Sequence, residues 1–180
     1  MRTRTLFLVL VVLTLVAIPS FADDPPAGPP AELSQLAYFS GDWSCIGMAF
    51  ETPFGPEHPT EADVSARMAV GGWWQHLSYD EKTTDRNPMP VHAMIVMGYD
   101  ADKAQFVGNC FDSFGQHCVQ YSSGWNGDEL VFEGHSSMGD TGVRDTFTKI
   151  GQSRLTHLFE MQSPDGTWMK MDKETCTRKQ

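Results

Sequence analysis

The chain has 180 residues, with 41% hydrophobic content and 23 Asp and Glu against 13 Lys and Arg, which suits one domain with a proper core. The net charge of −10 repels phosphate backbones and anionic lipids, so nucleic acid and membrane surfaces are poor partners.

The first residues read as a targeting segment. Arg2 and Arg4 give a positive start, and Leu6 to Ile18 is apolar except for Thr14. Ser20-Phe21-Ala22 places small residues at the two positions an export peptidase reads, so residues 1–22 are expected to be a signal peptide. The apolar run is too short to span a bilayer comfortably; an uncleaved anchor is the alternative. No cysteine follows the cleavage site, which argues against a bacterial lipid anchor. The mature protein is therefore expected to be exported, periplasmic or extracellular, with no membrane contact once the signal is removed. Both basic residues of the segment are lost and no acidic one is, so the mature chain is still more acidic.

Residues 23–31 form a stiff, polar, Pro-rich tail opening on Asp23-Asp24-Pro25-Pro26. A single domain is expected over 32–180. It begins with a short helix whose apolar face is Leu33, Leu36 and Ala37, and Gly41-Asp42-Trp43 ends it.

From there strand follows strand: 42–51, 61–70, 72–80, 91–99, 104–112, 116–125, 129–136, 142–150, 153–162 and 167–178. Turn signals such as Asn126-Gly127-Asp128 and Ser163-Pro164-Asp165-Gly166 separate them. No long helical pattern intervenes, which disfavours a parallel α/β fold. Short connections pair neighbours in sequence, and a meander of about ten antiparallel strands closes on itself because closure removes its edges. The fold class is an all-β, up-and-down barrel with a short N-terminal helix.

Cys45, Cys110, Cys118 and Cys176 are expected to form disulfides, as an even count does in an oxidising compartment. Zinc is the rival reading, but there is no CxxC pair. With an even strand count the first and last strands meet antiparallel, and facing residues then have a constant index sum. Cys45 with Cys176 and Trp43 with Arg178 share that sum. A disulfide and an aromatic–guanidinium contact would thus close the seam. Cys110 and Cys118 lie symmetrically about Phe114. A three-residue loop, Ser113-Phe114-Gly115, puts Gly where a left-handed backbone is needed and sets the two cysteines opposite each other.

These features resemble the lipocalin-like, or calycin, barrels. The short helix leads into Gly41-Asp42-Trp43, similar to the GxW signature of their first strand, and Arg178 stands where they place a late basic residue across that Trp. The chain more closely resembles the bacterial DUF1579 family, a domain of unknown function. The residues carrying that resemblance are Gly41-Asp42-Trp43, Gly71-Gly72-Trp73-Trp74, Gly98-Tyr99-Asp100, Phe111-Asp112-Ser113 and Thr177-Arg178-Lys179. It implies the barrel fold and no settled activity. The Cys110–Cys118 pair is not part of that pattern.

Several residues are candidates for a site. Trp73 and Trp74 are adjacent, so one should face in; Trp73 and the nearby His76 are taken as ligand contacts. Asp112 lies in the cysteine-rich hairpin. Arg144 is a further candidate, since an inward Arg marks an anionic ligand or a structural partner, whereas an outward one would pair with Asp145 or solvent. His157 sits in a late apolar strand. Some heme-binding calycins, the nitrobindins, take their axial ligand from such a strand, but their broader signature is not evident here. No HExxH pair, GxSxG, SxxK, P-loop or Rossmann fingerprint occurs. No catalytic residue, metal site or cofactor is assigned, and the oligomeric state is unassigned.

Ten Met and 11 Phe would make a soft interior, which a filled core would also use. A binding barrel for a small apolar or amphipathic molecule is the first functional reading. A protease-inhibitor-like interaction module is the alternative, with a barrel enzyme or heme binder behind it. In a carrier, the loops 52–60 and 81–90 should rim one mouth of a hollow barrel.

Overall fold

The computed structural model describes residues 28–180. The expected signal peptide and the first residues of the Pro-rich tail lie outside the described residues. A 3-10 helix, Ala31–Phe39, precedes ten strands: β1 Gly41–Ala49, β2 His58–Ala69, β3 Trp74–Glu81, β4 His92–Asp100, β5 Gln105–Asp112, β6 His117–Ser122, β7 Glu129–Ser136, β8 Thr141–Lys149, β9 Arg154–Gln162 and β10 Trp168–Arg178. Each pairs antiparallel with its sequence neighbours, and β1 pairs with β10, so the meander closes into a barrel. No strand end lies more than three residues from its expected place.

The closing register is the expected one. Trp43 faces Arg178 and Cys45 faces Cys176, whose Cα atoms stand 3.9 Å apart and whose sulfurs are bonded. Cys110 faces Cys118 and is bonded to it, Cα to Cα 5.0 Å. Gly115 takes φ +80° in the hairpin between them, as the three-residue loop requires.

The helix departs from expectation. Its buried residues are Leu33, Leu36 and Phe39, while Ala37 is exposed. That spacing of three follows from a 3-10 turn, which repeats every three residues. β6 also stops early, at Ser122, because Gly124 turns the chain at φ +96° and sends Trp125 to the helix. There the Trp125 indole N–H donates to the Gln35 carbonyl at 2.9 Å.

The helix plugs one end of the barrel. Phe39 packs edge-on to Phe147, ring centroids 5.1 Å apart, and stacks on Trp125. Trp43 donates its indole N–H to the Phe39 carbonyl at 2.7 Å. Arg178 lies over the Trp43 ring and donates to the carbonyls of Tyr38 and Ser40. The three carbonyls at this end, of Tyr38, Phe39 and Ser40, are thus satisfied by Trp43 and Arg178, as buried polar groups must be. The core runs from this plug into the lower half of the barrel through Ala62, Ala66, Met97, Phe106, Leu130 and Phe132. A second, smaller cluster, with Cys118, Val143 and Met161, fills the wall beside the hairpin disulfide.

Candidate functional site

Above the plug the barrel is hollow. A cavity of about 430 Å³ opens at the end opposite the helix, a volume typical of small-molecule pockets. Phe54 and Pro56 from the β1–β2 loop and Asn87 and Met89 from the β3–β4 loop rim its mouth. These are the two loops expected to do so in a carrier. Its walls are mainly apolar, with Val64, Ile95, Met97, Phe132, Phe147 and Phe159 among them.

Strand alternation decides what else faces the cavity, because successive side chains point to opposite faces. Cys176 points inward at the seam, so Glu174 and Asp172 on the same strand do too, and all three line the cavity. Glu174 is 2% exposed. It fits because Gly47 faces it across the seam: a Cβ there would stand 2.8 Å from the Glu174 Cγ and 2.2 Å from the Lys173 carbonyl oxygen. The Glu174 Oε1 accepts from the Thr60 hydroxyl at 2.8 Å and the Tyr79 hydroxyl at 2.9 Å. Burial and the neighbouring Glu174 push the Tyr79 phenol far up, so it stays a donor. Glu81 is 6% exposed, lines the cavity, and accepts the Val91 backbone N–H at 2.8 Å through Oε2.

Across the barrel, β8 and β9 supply an ion pair. His157 Nε2 lies 2.6 Å from Asp145 Oδ1, and Gln120 donates to Asp145 Oδ2 at 2.6 Å. The imidazole stacks on Phe147, and its Nδ1 stands 3.8 Å from Asp172. Burial works to lower the His157 pKa, but the hydrogen bond to Asp145 and the charges of Asp145, Asp172 and Glu174 outweigh it, raising it to about 9. Burial, with the fields of Glu174 and Asp145, raises Asp172 to about 7 against the opposing pull of His157. The cavity therefore holds an imidazolium at neutral pH together with a carboxyl poised to gain or lose a proton.

The expected site residues divide. His157 and Asp112 line the cavity. Asp112 is also committed to its own hairpin, where Oδ1 accepts the backbone N–H of Phe114 and of Gln116, both at 2.9 Å. Trp73, His76 and Arg144 lie elsewhere. Val70–Gly72 forms a single 3-10 turn and β3 begins only at Trp74, so Trp73 precedes the strand and is 41% exposed. Trp74 does not face in either; it lies outside, over Gly98. His76 alternates with the inward Gln75 and Leu77 and so stands on the outer wall. Arg144 is outward as well: two of its nitrogens donate to Glu160 Oε2, at 2.9 and 2.7 Å, and its guanidinium stacks 4.2 Å from the Trp168 ring. Its partner is Glu160, not Asp145, because Asp145 points into the barrel. Sequence reasoning missed Glu81, Asp145, Asp172 and Glu174. Parity along β10 from Cys176 would have found two of them.

Among the described residues, the cluster of ligand-type atoms at the seam does not suit a metal ion. Cys45, Cys176 and Glu174 bring ligand-type atoms within 4.8 Å of one another, but both sulfurs are bonded to each other and offer no thiolate. His157 turns Nε2 to Asp145 at 2.6 Å and Nδ1 toward Asp172 at 3.8 Å, so both ring nitrogens face carboxyl groups of the barrel wall. Among the described residues, no hydroxyl or thiol is hydrogen-bonded to His157, so no activated nucleophile is assembled there.

Among solved structures, Rv2717c from M. tuberculosis is similar in fold: 11% sequence identity, a TM-score of 0.65, and coverage of 84% of this chain and 99% of that one. EF1p2_mFAP2b bound to DFHBI aligns at 9% identity over 83% of this chain and 100% of that one, with a TM-score of 0.38, too low to bear on the fold. Comparison with curated proteins finds no match. The model of the DUF1579 family, a protein of unknown function, matches residues 28–178. With its strands, seam and hairpin all inside that match, the chain belongs to the DUF1579 family.

Proposed function

We propose that this protein is an exported binding barrel that takes a small apolar or amphipathic molecule into its cavity. The observation that carries the reading is the cavity itself: about 430 Å³, apolar-walled, rimmed by two loops, with a few inward polar groups. Binding sites have this composition because apolar walls supply affinity and a few fixed polar atoms supply orientation. Two disulfides suit an oxidising compartment outside the cytoplasm. Among the described residues, no helix is long and apolar enough to cross a membrane.

Native mass spectrometry of the protein purified under non-denaturing conditions from its producing cell tests the reading. A retained small-molecule adduct is expected, and it should be lost in Ala93→Phe, which fills the cavity wall. A ligand-free spectrum, together with no thermal shift from a panel of apolar and amphipathic compounds, would overturn it.

A further inference from the structure

Resting on that binding reading, we infer that the cavity selects a cationic amphiphile, an ammonium group carried on an apolar body. The lining contains five carboxyl side chains, Glu81, Asp112, Asp145, Asp172 and Glu174, against two histidines, His58 and His157, of which His157 is already paired with Asp145; among the described residues no Lys or Arg lines it.

Most of these carboxyls already have partners. Asp145 holds His157 and Gln120. Asp112 holds two backbone N–H groups of its hairpin. Asp172 stands near the His157 imidazole. Glu174 and Glu81 differ. Each is more than nine-tenths buried and lines the cavity. Each commits one oxygen to the protein, Oε1 in Glu174 and Oε2 in Glu81. The remaining oxygen of each has no hydrogen-bond partner among the described residues.

These two oxygens are open to the cavity, and a carboxylate oxygen among apolar walls is less well solvated than one at the surface. A ligand that brings N–H donors and positive charge makes up that deficit, whereas an anionic ligand adds to it. The aromatic walls favour the same charge, since cations are attracted to ring faces; Tyr79, Phe132, Phe147 and Phe159 supply them. The apolar body has Val64, Ile95 and Met97 to pack on. Fatty acids and phosphate esters, whose polar ends are anionic, meet repulsion instead.

Isothermal titration of the intact protein with decylamine, decan-1-ol and decanoate, each below its micelle limit, separates the outcomes. The three probes share one chain and differ in the head. The amine is expected to bind about tenfold more tightly than the alcohol, a usual size for one desolvated charge contact, and decanoate least. Glu174→Gln and Glu81→Gln should each shrink the amine-to-alcohol ratio; the second variant serves if the first does not fold. Equal binding of the amine and either other probe would overturn the charge selectivity and leave the binding barrel standing. A ratio unmoved in a folded variant would also overturn it. Failure of all three to bind would bring down the cavity reading and this inference together.

Discussion

The Arg178 guanidinium lies 4.1 Å from the centroid of the Trp43 ring, across the seam where β1 meets β10. Trp43 is fully buried and donates to the helix, and Arg178 donates to two carbonyls of the segment that enters it. The pair therefore joins three elements, not two. Trp43→Ala should destabilise by about 3–5 kcal/mol as a large core truncation. Arg178→Lys keeps the charge but loses the flat fork. A double-mutant cycle in denaturant should give a coupling of about 0.5–2 kcal/mol; additivity would mean that the rings and guanidinium do not interact.

The disulfides should differ in consequence. Cys45–Cys176 closes a sequence separation of 131 residues and Cys110–Cys118 one of 8. Loop entropy assigns roughly 5 kcal/mol to the first and roughly 2.6 to the second. Non-reducing peptide mapping should recover both pairs. Replacing the seam pair with Ala should lower the unfolding free energy more than replacing the hairpin pair, and the reverse order would contradict the loop argument.

Stability should fall as pH rises from about 4 to about 9. Both Asp172 and His157 have folded pKa values above their unfolded ones. A group of that kind stabilises fully below its unfolded value and loses the contribution as pH passes its folded value. The windows are 3.8 to about 7 for Asp172 and 6.5 to about 9 for His157. The groups facing them are Asp145, Glu174 and Glu81, and the two also oppose each other, so their effects do not add. A combined loss of about 2–4 kcal/mol is expected from urea titrations. Asp172→Asn should flatten the lower part of the curve and His157→Gln the upper part. Stability that rises across this range would refute the assignment.

Arg144 should matter for folding and not for binding. Glu160 is only 7% exposed, and Arg144→Ala would leave it buried without its partner. A loss of about 2–3 kcal/mol follows. Any ligand found by mass spectrometry should bind Arg144→Ala unchanged, because this side chain lies outside the barrel wall. Lost binding in a folded variant would place Arg144 back in the site.

Export predicts a mature N-terminus. Intact-mass measurement on protein from the producing cell should give a chain starting at Asp23. A mass that retains Met1 to Ala22 would reject the signal peptide.

The barrel was legible in the sequence because its constraints are local or arithmetic. Alternation and turn residues mark strands one at a time, and an antiparallel pair obliges facing residues to share an index sum. Cys45 and Cys176 therefore reported the closure of strands at opposite ends of the chain. The site was harder to read. Arg144 and Asp145 are neighbours, and only the phase of β8 says which one enters the cavity. In β10 the phase is disturbed by a bulge between Lys170 and Asp172, so counting inward from Trp168 gives the wrong face. Trp73 misled for a related reason: a single turn before β3 removes it from any alternation. Glu81 and Glu174 resemble surface acids in composition, and burial, which no local pattern encodes, is what sets them apart.

The even number of strands has a practical corollary. β1 starts and β10 finishes at the plugged base, beside the helix, while the open mouth lies at the far end. A fusion partner, dye or surface tether attached just before Ala31 or just after Arg178 would hang from the base and stand clear of the opening. Immobilised through either terminus, the molecule would present its mouth to the bulk like a cup on a stem. Surface-based binding assays can therefore be built on this protein without blocking the cavity they are meant to interrogate.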